Sequence, residues 1–343
     1  MTANVQPVAD AAVLYGDQRA ADQKAIDQLA LDAANQANAS LVAEYEAYKK
    51  SHPDVQDTIT TLAGMSYGGN TDPSAFEAEV GNPVGVWRLY FQGSEVAKAA
   101  TAIATAGAKG RKVVWISFKL PASWADMGKG LQDAWVKDMG KRCSDAAVAV
   151  KVTVCTCLHH EPEGDGPLAD YQAMQKHCLP LIHGLPNLLT SIILTGYPQQ
   201  YGGTYAAWTL EACYPGPSCD VIGVDPYLMY GTYQDYNKTP PMVTSWTPPD
   251  ACMKTFADFA KAKGCDWAVA ETGQTNEAYN APPAGKDGKG FLAQQFAKAK
   301  ELGAKWYCYF ASTLNSRGSW EIDSAEAKKG KRAALAEVNK RDS

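Results

Sequence analysis

From Thr61 onward, eight short apolar runs alternate with stretches compatible with a helix, and this alternation limits the fold more than any other feature of the chain. The runs span 62–67, 85–91, 112–118, 150–158, 191–197, 220–227, 265–271 and 304–310. Helical stretches are expected at 74–80, 95–106, 131–147, 168–182, 205–212, 251–263, 289–302 and 325–339. Strands that alternate with helices form parallel βαβ units, and eight such units predict a closed (β/α)8 TIM barrel. The chain's 343 residues, 46% of them hydrophobic, can bury a core of that size.

Residues 10–50 have a different character: rich in Ala, Gln, Asp and Asn, with no proline between Val8 and His52. Ile26, Leu29, Ala33, Ala37, Leu41, Tyr45 and Tyr48 recur at spacings of three or four, which predicts one amphipathic helix ending before Ser51-His52-Pro53. The chain therefore divides into an N-terminal α-helical arm, 1–57, and a barrel, 58–343. The arm either packs on the barrel or serves self-association or docking to a larger assembly; its alanine-rich stripe suits close helix–helix approach.

The formal net charge is −5, with both signs interspersed and no basic stripe, so a nucleic-acid partner is not expected. The start, MTANVQPVADAA, has neither a basic nor an apolar leader region, and no stretch reaches the ~18 apolar residues of a membrane span. A cytoplasmic or virion-associated protein is expected. Nine cysteines is an odd number, and Cys155, Cys157, Cys265 and Cys308 fall inside expected strands, where free thiols act as small apolar groups. Reduced thiols are the default reading, although the turn residues between Cys213 and Cys219 leave a disulfide there open. There is no paired CxxC and no second cluster near His159 and His160, so neither a metal nor another cofactor is expected.

In a barrel of this kind chemistry gathers at the carboxyl ends of the strands. The residues there are Tyr67, Arg88, Tyr90, Ser117, Phe118, His159 to Glu163, Tyr197, Asp225, Tyr227, Glu271, Tyr309 and Phe310. The run over 150–158 delivers Glu161, and the run over 265–271 delivers Glu271. The fourth and seventh strands of an eight-stranded barrel face each other, so these carboxylates can converge over its mouth. Hydrolysis of a glycosidic bond uses such a pair, one carboxyl donating a proton and the other ionised. A gap of about 5–5.5 Å corresponds to retention of configuration and about 6.5–9.5 Å to inversion.

The segments HHEPEG, DVIGVDPY and AVAETG, in this order from 159 to 273, resemble clan A glycoside hydrolases, and most closely family 26, which has His-Glu where most of the clan has Asn-Glu. The resemblance spans roughly 61–310. It implies Glu161 as general acid/base, Glu271 as nucleophile, His160 as a contact to sugar or nucleophile, Tyr227 as a hydrogen-bond donor to the nucleophile, and Arg88 as the clan's strand-two arginine. Surroundings drier at Glu161 would raise its pKa. Two departures stand out: Pro162-Glu163-Gly164-Asp165-Gly166 replaces the family's Asn-Gly and tryptophans, and no tryptophan ends the eighth strand. Sugar contacts are expected to be rebuilt, with Tyr67, Trp124, Tyr197, Asp225 and Tyr309 as candidates.

His159 is expected to fill the core on the side away from His160, and Glu163 and Asp165 to sit in a solvated loop rather than bind calcium. Asp225 either orients Tyr227 or Arg88, or meets substrate. In the long segment 227–249, Tyr230, Tyr233, Tyr236 and Trp246 either stack on sugars or pack on one another. Two functions from different classes follow. One is a retaining hydrolase acting on a β-linked polysaccharide. The other is a non-catalytic carbohydrate-binding or structural barrel, tethered by its arm to an assembly such as a virion tail.

Overall fold

Each of the eight apolar runs contributes a strand: β1 Leu62–Tyr67, β2 Val86–Phe91, β3 Val113–Phe118, β4 Thr153–Leu158, β5 Leu188–Leu194, β6 Val221–Val224, β7 Asp266–Val269 and β8 Trp306–Ala311. All pair in parallel with their sequence neighbours, and β8 returns to β1 in a register running from Leu62↔Trp306 to Tyr67↔Ala311, which closes the barrel. This is the expected (β/α)8 architecture. The computed structural model describes residues 61–80, 83–234, 237–312 and 320. The expected arm over 1–57 and the expected last helix over 325–339 lie outside the described residues.

The helices are α1 Ser74–Val80, α2 Val96–Ala108, α3 Trp124–Gly128, α4 Asp133–Val150, α5 Leu168–Cys178, α6 Tyr197–Tyr201, α7 Leu210–Cys213, α8 Asp250–Lys263, α9 Asn276–Asn280 and α10 Phe291–Glu301. Their apolar stripes cover the outside of the barrel. In α2, Val96, Ala99, Ile103 and Ala106 recur at helical spacing and are buried; a side chain such as Ile103 gains about 2 kcal/mol from that burial. Glycine permits the closest helix contacts: a β-carbon on Gly107 would come within 2.4 Å of Val150, and one on Gly140 within 2.3 Å of Ile182. None of the helices among the described residues is long and apolar enough to cross a membrane.

Inside the barrel, Trp115 and Trp306 meet with ring centroids 5.0 Å apart and are surrounded by Val86, Val113, Ile193, Val221 and the thiols of Cys155, Cys157 and Cys308. The indole N–H of Trp115 donates to Ser191 Oγ at 2.9 Å. Small residues make room for it: a β-carbon on Gly223 would fall 2.9 Å from the indole. All nine cysteines are free thiols, Cys213 and Cys219 included.

Several strand ends differ from the sequence reading, β6 stopping at Val224 and β7 at Val269 rather than at 227 and 271, and two differences have a visible cause. Residues 150–152 do not belong to β4. Val150 ends α4, pressed against Gly107, and Lys151 takes a left-handed conformation (φ 57°) that stops the helix. An apolar β-branched run thus crosses a helix end, where periodicity carries no mark of the boundary. β5 lies three residues earlier than expected, because Gly196 (φ 86°) turns the chain after Leu194 and Tyr197-Pro198 opens α6 instead of extending the strand. Of the expected helix over 205–212 only 210–212 is α-helical, within α7, which Thr209 opens by accepting the Ala212 N–H on its side chain.

One ion cluster fastens α1 to the barrel. Buried Arg111 donates from Nε and Nη2 to the two oxygens of Glu77 at 2.7 and 2.8 Å, and from Nη1 and Nη2 to Asp72 at 3.2 and 2.8 Å. Its guanidinium lies over the Trp87 ring, 4.4 Å from the centroid. Removing one partner of a buried pair strands the other charge in a poor solvent. Arg111→Ala is therefore expected to destabilise the fold by about 3–5 kcal/mol, read from the denaturant midpoint. A loss below about 1 kcal/mol would mean that water already solvates the cluster as it does a surface pair.

Candidate active site

The end of β4 is bent away from ideal strand geometry. His159 and Glu161 have positive φ, 64° and 48°, a region that non-glycine residues occupy at a cost of order 1–3 kcal/mol. Between them the chain remains tied to its neighbours: His159 N–H donates to Phe118 O, and Glu161 N–H to Ile193 O, each at 3.0 Å. The twist sends His159 and His160 to different surroundings. His159 bonds Asp165 at 2.8 Å and packs against Trp124 with centroids 4.9 Å apart. His160 turns to the barrel mouth, 5.4 Å from the Tyr90 ring and with Nε2 4.0 Å from Glu271 Oε1.

Glu271, two residues beyond β7, is 6% exposed and held by donors from three sides. Tyr90 donates to Oε1 at 2.7 Å, Arg88 Nη2 reaches the same oxygen at 3.3 Å, and Tyr227 donates to Oε2 at 2.9 Å. Arg88 and Tyr90 alternate on β2 and so share its inner face, and the guanidinium rests 4.4 Å from the Tyr90 centroid. Burial works against the Arg88 charge, but Tyr90, Glu271 and Asp225 around it reverse the effect, and its pKa is raised. A charged arginine and two phenols thus fix both oxygens of one carboxylate.

Glu161 is the opposite case. Among the described residues it has no ion-pair partner, and burial, followed by the negative charge of Glu271 and then of Glu163, pushes its pKa up to about 8. The residue as a whole is partly exposed, but its carboxyl is closely ringed by protein. Asp225, after β6, is 2% exposed, and neither of its oxygens has a hydrogen-bond partner among the described residues. Burial first, and then the negative charges of Glu271 and Glu161, raise its pKa well above that of an ordinary aspartate, which favours its protonated form. His160 is kept neutral by burial and then by the charge of Arg88.

Of the sequence candidates, Glu161, Glu271, His160, Arg88, Tyr227 and Asp225 therefore gather at the mouth. Tyr197 stands beside them rather than at a strand end; its hydroxyl donates to Tyr227 O at 3.0 Å. Tyr309 is fully buried and donates to Trp320 O at 2.7 Å, so it supports the site from behind. Trp124, 8% exposed, packs among His159, Tyr171 and Trp208, where it has little surface to offer a sugar. Tyr67 ends β1, and its side chain lies outside the described residues. Tyr230 and Trp246 pack on each other and on Phe291, and Tyr236 lies outside the described residues.

Glu163 is not in a solvated loop. Its Oε1 accepts from Thr195 N–H at 3.0 Å, Thr195 Oγ1 at 3.1 Å and Gln199 Nε2 at 2.8 Å, which fastens the loop after β4 to the loop after β5. Two residues were not assigned roles from sequence. Tyr90 appeared among the strand ends, and its spacing of two from Arg88 was the available signal. Trp320 stacks on Tyr227, centroids 4.7 Å apart, and presses on Gly273. It reaches the site from well beyond β8, and no periodicity marks it.

Solved structures with a similar barrel include a modular family 26 endo-beta-1,4-mannanase from Cellulomonas fimi, at 17% identity and a TM-score of 0.53, covering 82% of this chain and 71% of that one. Cel5A from Thermotoga maritima, solved with mannotriose, matches at 11% identity and 0.54, covering 81% and 98%. A pair of fungal beta-1,4-galactanases matches at 13% and 0.52, covering 82% and 94%. The likeness is one of fold. No protein-family model matches the sequence, and no curated protein sequence does.

Proposed function

We propose that this chain is a glycoside hydrolase that cleaves β-linked polysaccharide with retention of configuration, using Glu271 as nucleophile and Glu161 as general acid/base. The observation that carries the reading is the contrast between the two carboxylates. One is bonded on both oxygens by Arg88, Tyr90 and Tyr227; the other has no ion-pair partner among the described residues, and burial pushes its pKa up to about 8. Two carboxyl groups set in such different surroundings are what acid and nucleophile roles require. The barrel's likeness to mannan-, cellulose- and galactan-cleaving enzymes agrees with it at the level of fold.

In the first step a Glu271 oxygen attacks the anomeric carbon, the bond to the leaving oxygen breaks, and Glu161 passes its proton to that oxygen. A glycosyl ester and a free sugar end result. In the second step Glu161, now a carboxylate, takes a proton from water as the water oxygen attacks the same carbon, and Glu271 leaves. His160, neutral and beside Glu271, offers a ring N–H to a sugar hydroxyl without adding charge.

The first test is reducing-sugar release from β-1,4-mannan, carboxymethylcellulose and β-1,4-galactan, with the first-formed anomer read by proton NMR. Hydrolysis of at least one polymer to the β-anomer is expected. The acid form of Glu161 is present below its raised pKa and lost above it, so activity is expected to fall as pH rises through about 8. Formation of the α-anomer, or binding without turnover on a broad panel of polysaccharides, would overturn the retaining-hydrolase reading.

A further inference from the structure

Among the described residues four large apolar side chains are exposed, and two of them, Tyr201 at 53% and Tyr205 at 41%, lie on one short stretch after β5. The other two, Leu131 and Val148, are on separate elements away from it. We infer that Tyr201 and Tyr205 form an aromatic platform for the sugar residues on the leaving-group side of the scissile bond, an inference that rests on the catalytic roles proposed for Glu161 and Glu271.

The acid protonates the leaving oxygen, so leaving-group sugars must run past Glu161 and out over the loops that flank it. Those loops are the one after β4, which carries Glu161, and the one after β5, the strand to which Glu161 N–H is hydrogen-bonded through Ile193 O. Tyr205 touches the first of them directly: a β-carbon on Gly164 would fall 2.5 Å from its hydroxyl oxygen and 2.8 Å from Cζ. Gly164 is three residues from Glu161, no more than about 11 Å of chain. Tyr205 is therefore near the loop of the acid, and Tyr201, at the end of α6, precedes it on the same stretch.

The stretch is also held rigidly. Glu163 binds Thr195 and Gln199, so the stretch bearing the tyrosines is clamped to the loop of the acid. On its other side, the Tyr201 ring packs against Tyr197 with centroids 5.8 Å apart, and the Tyr197 hydroxyl holds the backbone carbonyl of Tyr227, whose own hydroxyl holds Glu271. Each ring is thus backed by protein on one side and open on another, and the stretch is joined to both catalytic carboxylates. A backed aromatic ring with an exposed face loses little conformational freedom when an apolar sugar face settles on it.

The experiment compares two kinds of substrate. Mannohexaose, cellohexaose and β-1,4-galactohexaose extend across the scissile bond; dinitrophenyl glycosides of the corresponding disaccharides occupy the nucleophile's side and carry only an aryl leaving group. For the hexaose cleaved fastest, Tyr201→Ala/Tyr205→Ala is expected to lower kcat/KM by about ten-fold, a loss at least about five times greater than on the matching dinitrophenyl glycoside. Tyr201→Phe/Tyr205→Phe, which keeps the ring faces, is expected to recover most of it. Equal losses on both substrates, or no loss on the hexaose, would overturn the platform. Should the unmodified chain hydrolyse none of these compounds, the catalytic reading fails by itself, and calorimetric titration with the three hexaoses decides the platform. Binding weakened about ten-fold by the double alanine variant supports it; equal binding, or no binding to any hexaose, overturns it.

Discussion

Glu271→Ala is expected to lower kcat on the preferred polysaccharide by roughly four to six orders of magnitude, because removal of a nucleophile abolishes the covalent step rather than weakening it. Three donors now converge on that carboxylate, from Tyr90, Arg88 and Tyr227. Alanine leaves them facing a cavity into which a small anion fits. Azide added to Glu271→Ala is therefore expected to attack the anomeric carbon from the emptied face and give a glycosyl azide of inverted configuration, identifiable by NMR. A glycosyl azide of retained configuration would remove Glu271 from the nucleophile's role. The conservative variant, Glu271→Gln, gives an independent readout. Burial remains, but the negative charge that helps raise the Glu161 pKa is gone, so the Glu161 titration is expected to move down from about 8.

Glu161→Gln is expected to cost about 10²–10⁴ in kcat on natural polymers, whose leaving alcohols need a proton. A dinitrophenyl leaving group needs none. With that substrate the first step survives and the second, which depends on Glu161 as base, becomes slow; a burst of released dinitrophenol followed by a slow steady state is the expected trace. The fall in activity above pH 8 is expected to vanish in this variant. A limb that persists would assign the titration to another buried acid.

The barrel could be read from the chain because its strands are buried on both faces and its helices on one, so their periodicities differ and alternate visibly. Where two elements abut without a polar break, as at Val150 and Lys151, the pattern is continuous and the boundary is set instead by a left-handed residue and a close contact with Gly107. The site divides along the same line. Glu161, Glu271, Arg88 and Tyr227 project from strand ends, whose position follows from strand order. Glu163 looked like a loop residue because its partners, Thr195 and Gln199, come from the next strand's loop, a juxtaposition that no local spacing encodes. Tyr309 was legible as a strand end but not as the donor that holds the Trp320 carbonyl. Side chains delivered by the strands were foreseeable; contacts made between loops were not.

The thiols inside and around the barrel have a consequence for the conditions the molecule tolerates. Burial pushes the pKa of Cys143, Cys157, Cys178 and Cys213 up to about 12, and raises those of Cys155, Cys219 and Cys308 as well. Since only the ionised sulfur attacks disulfides and oxidants at an appreciable rate, such thiols are chemically silent near neutrality. The fold contains no bridge for a reductant to cut, and it presents few sulfurs for an oxidant to find. Its cohesion is therefore indifferent to the redox state of its surroundings.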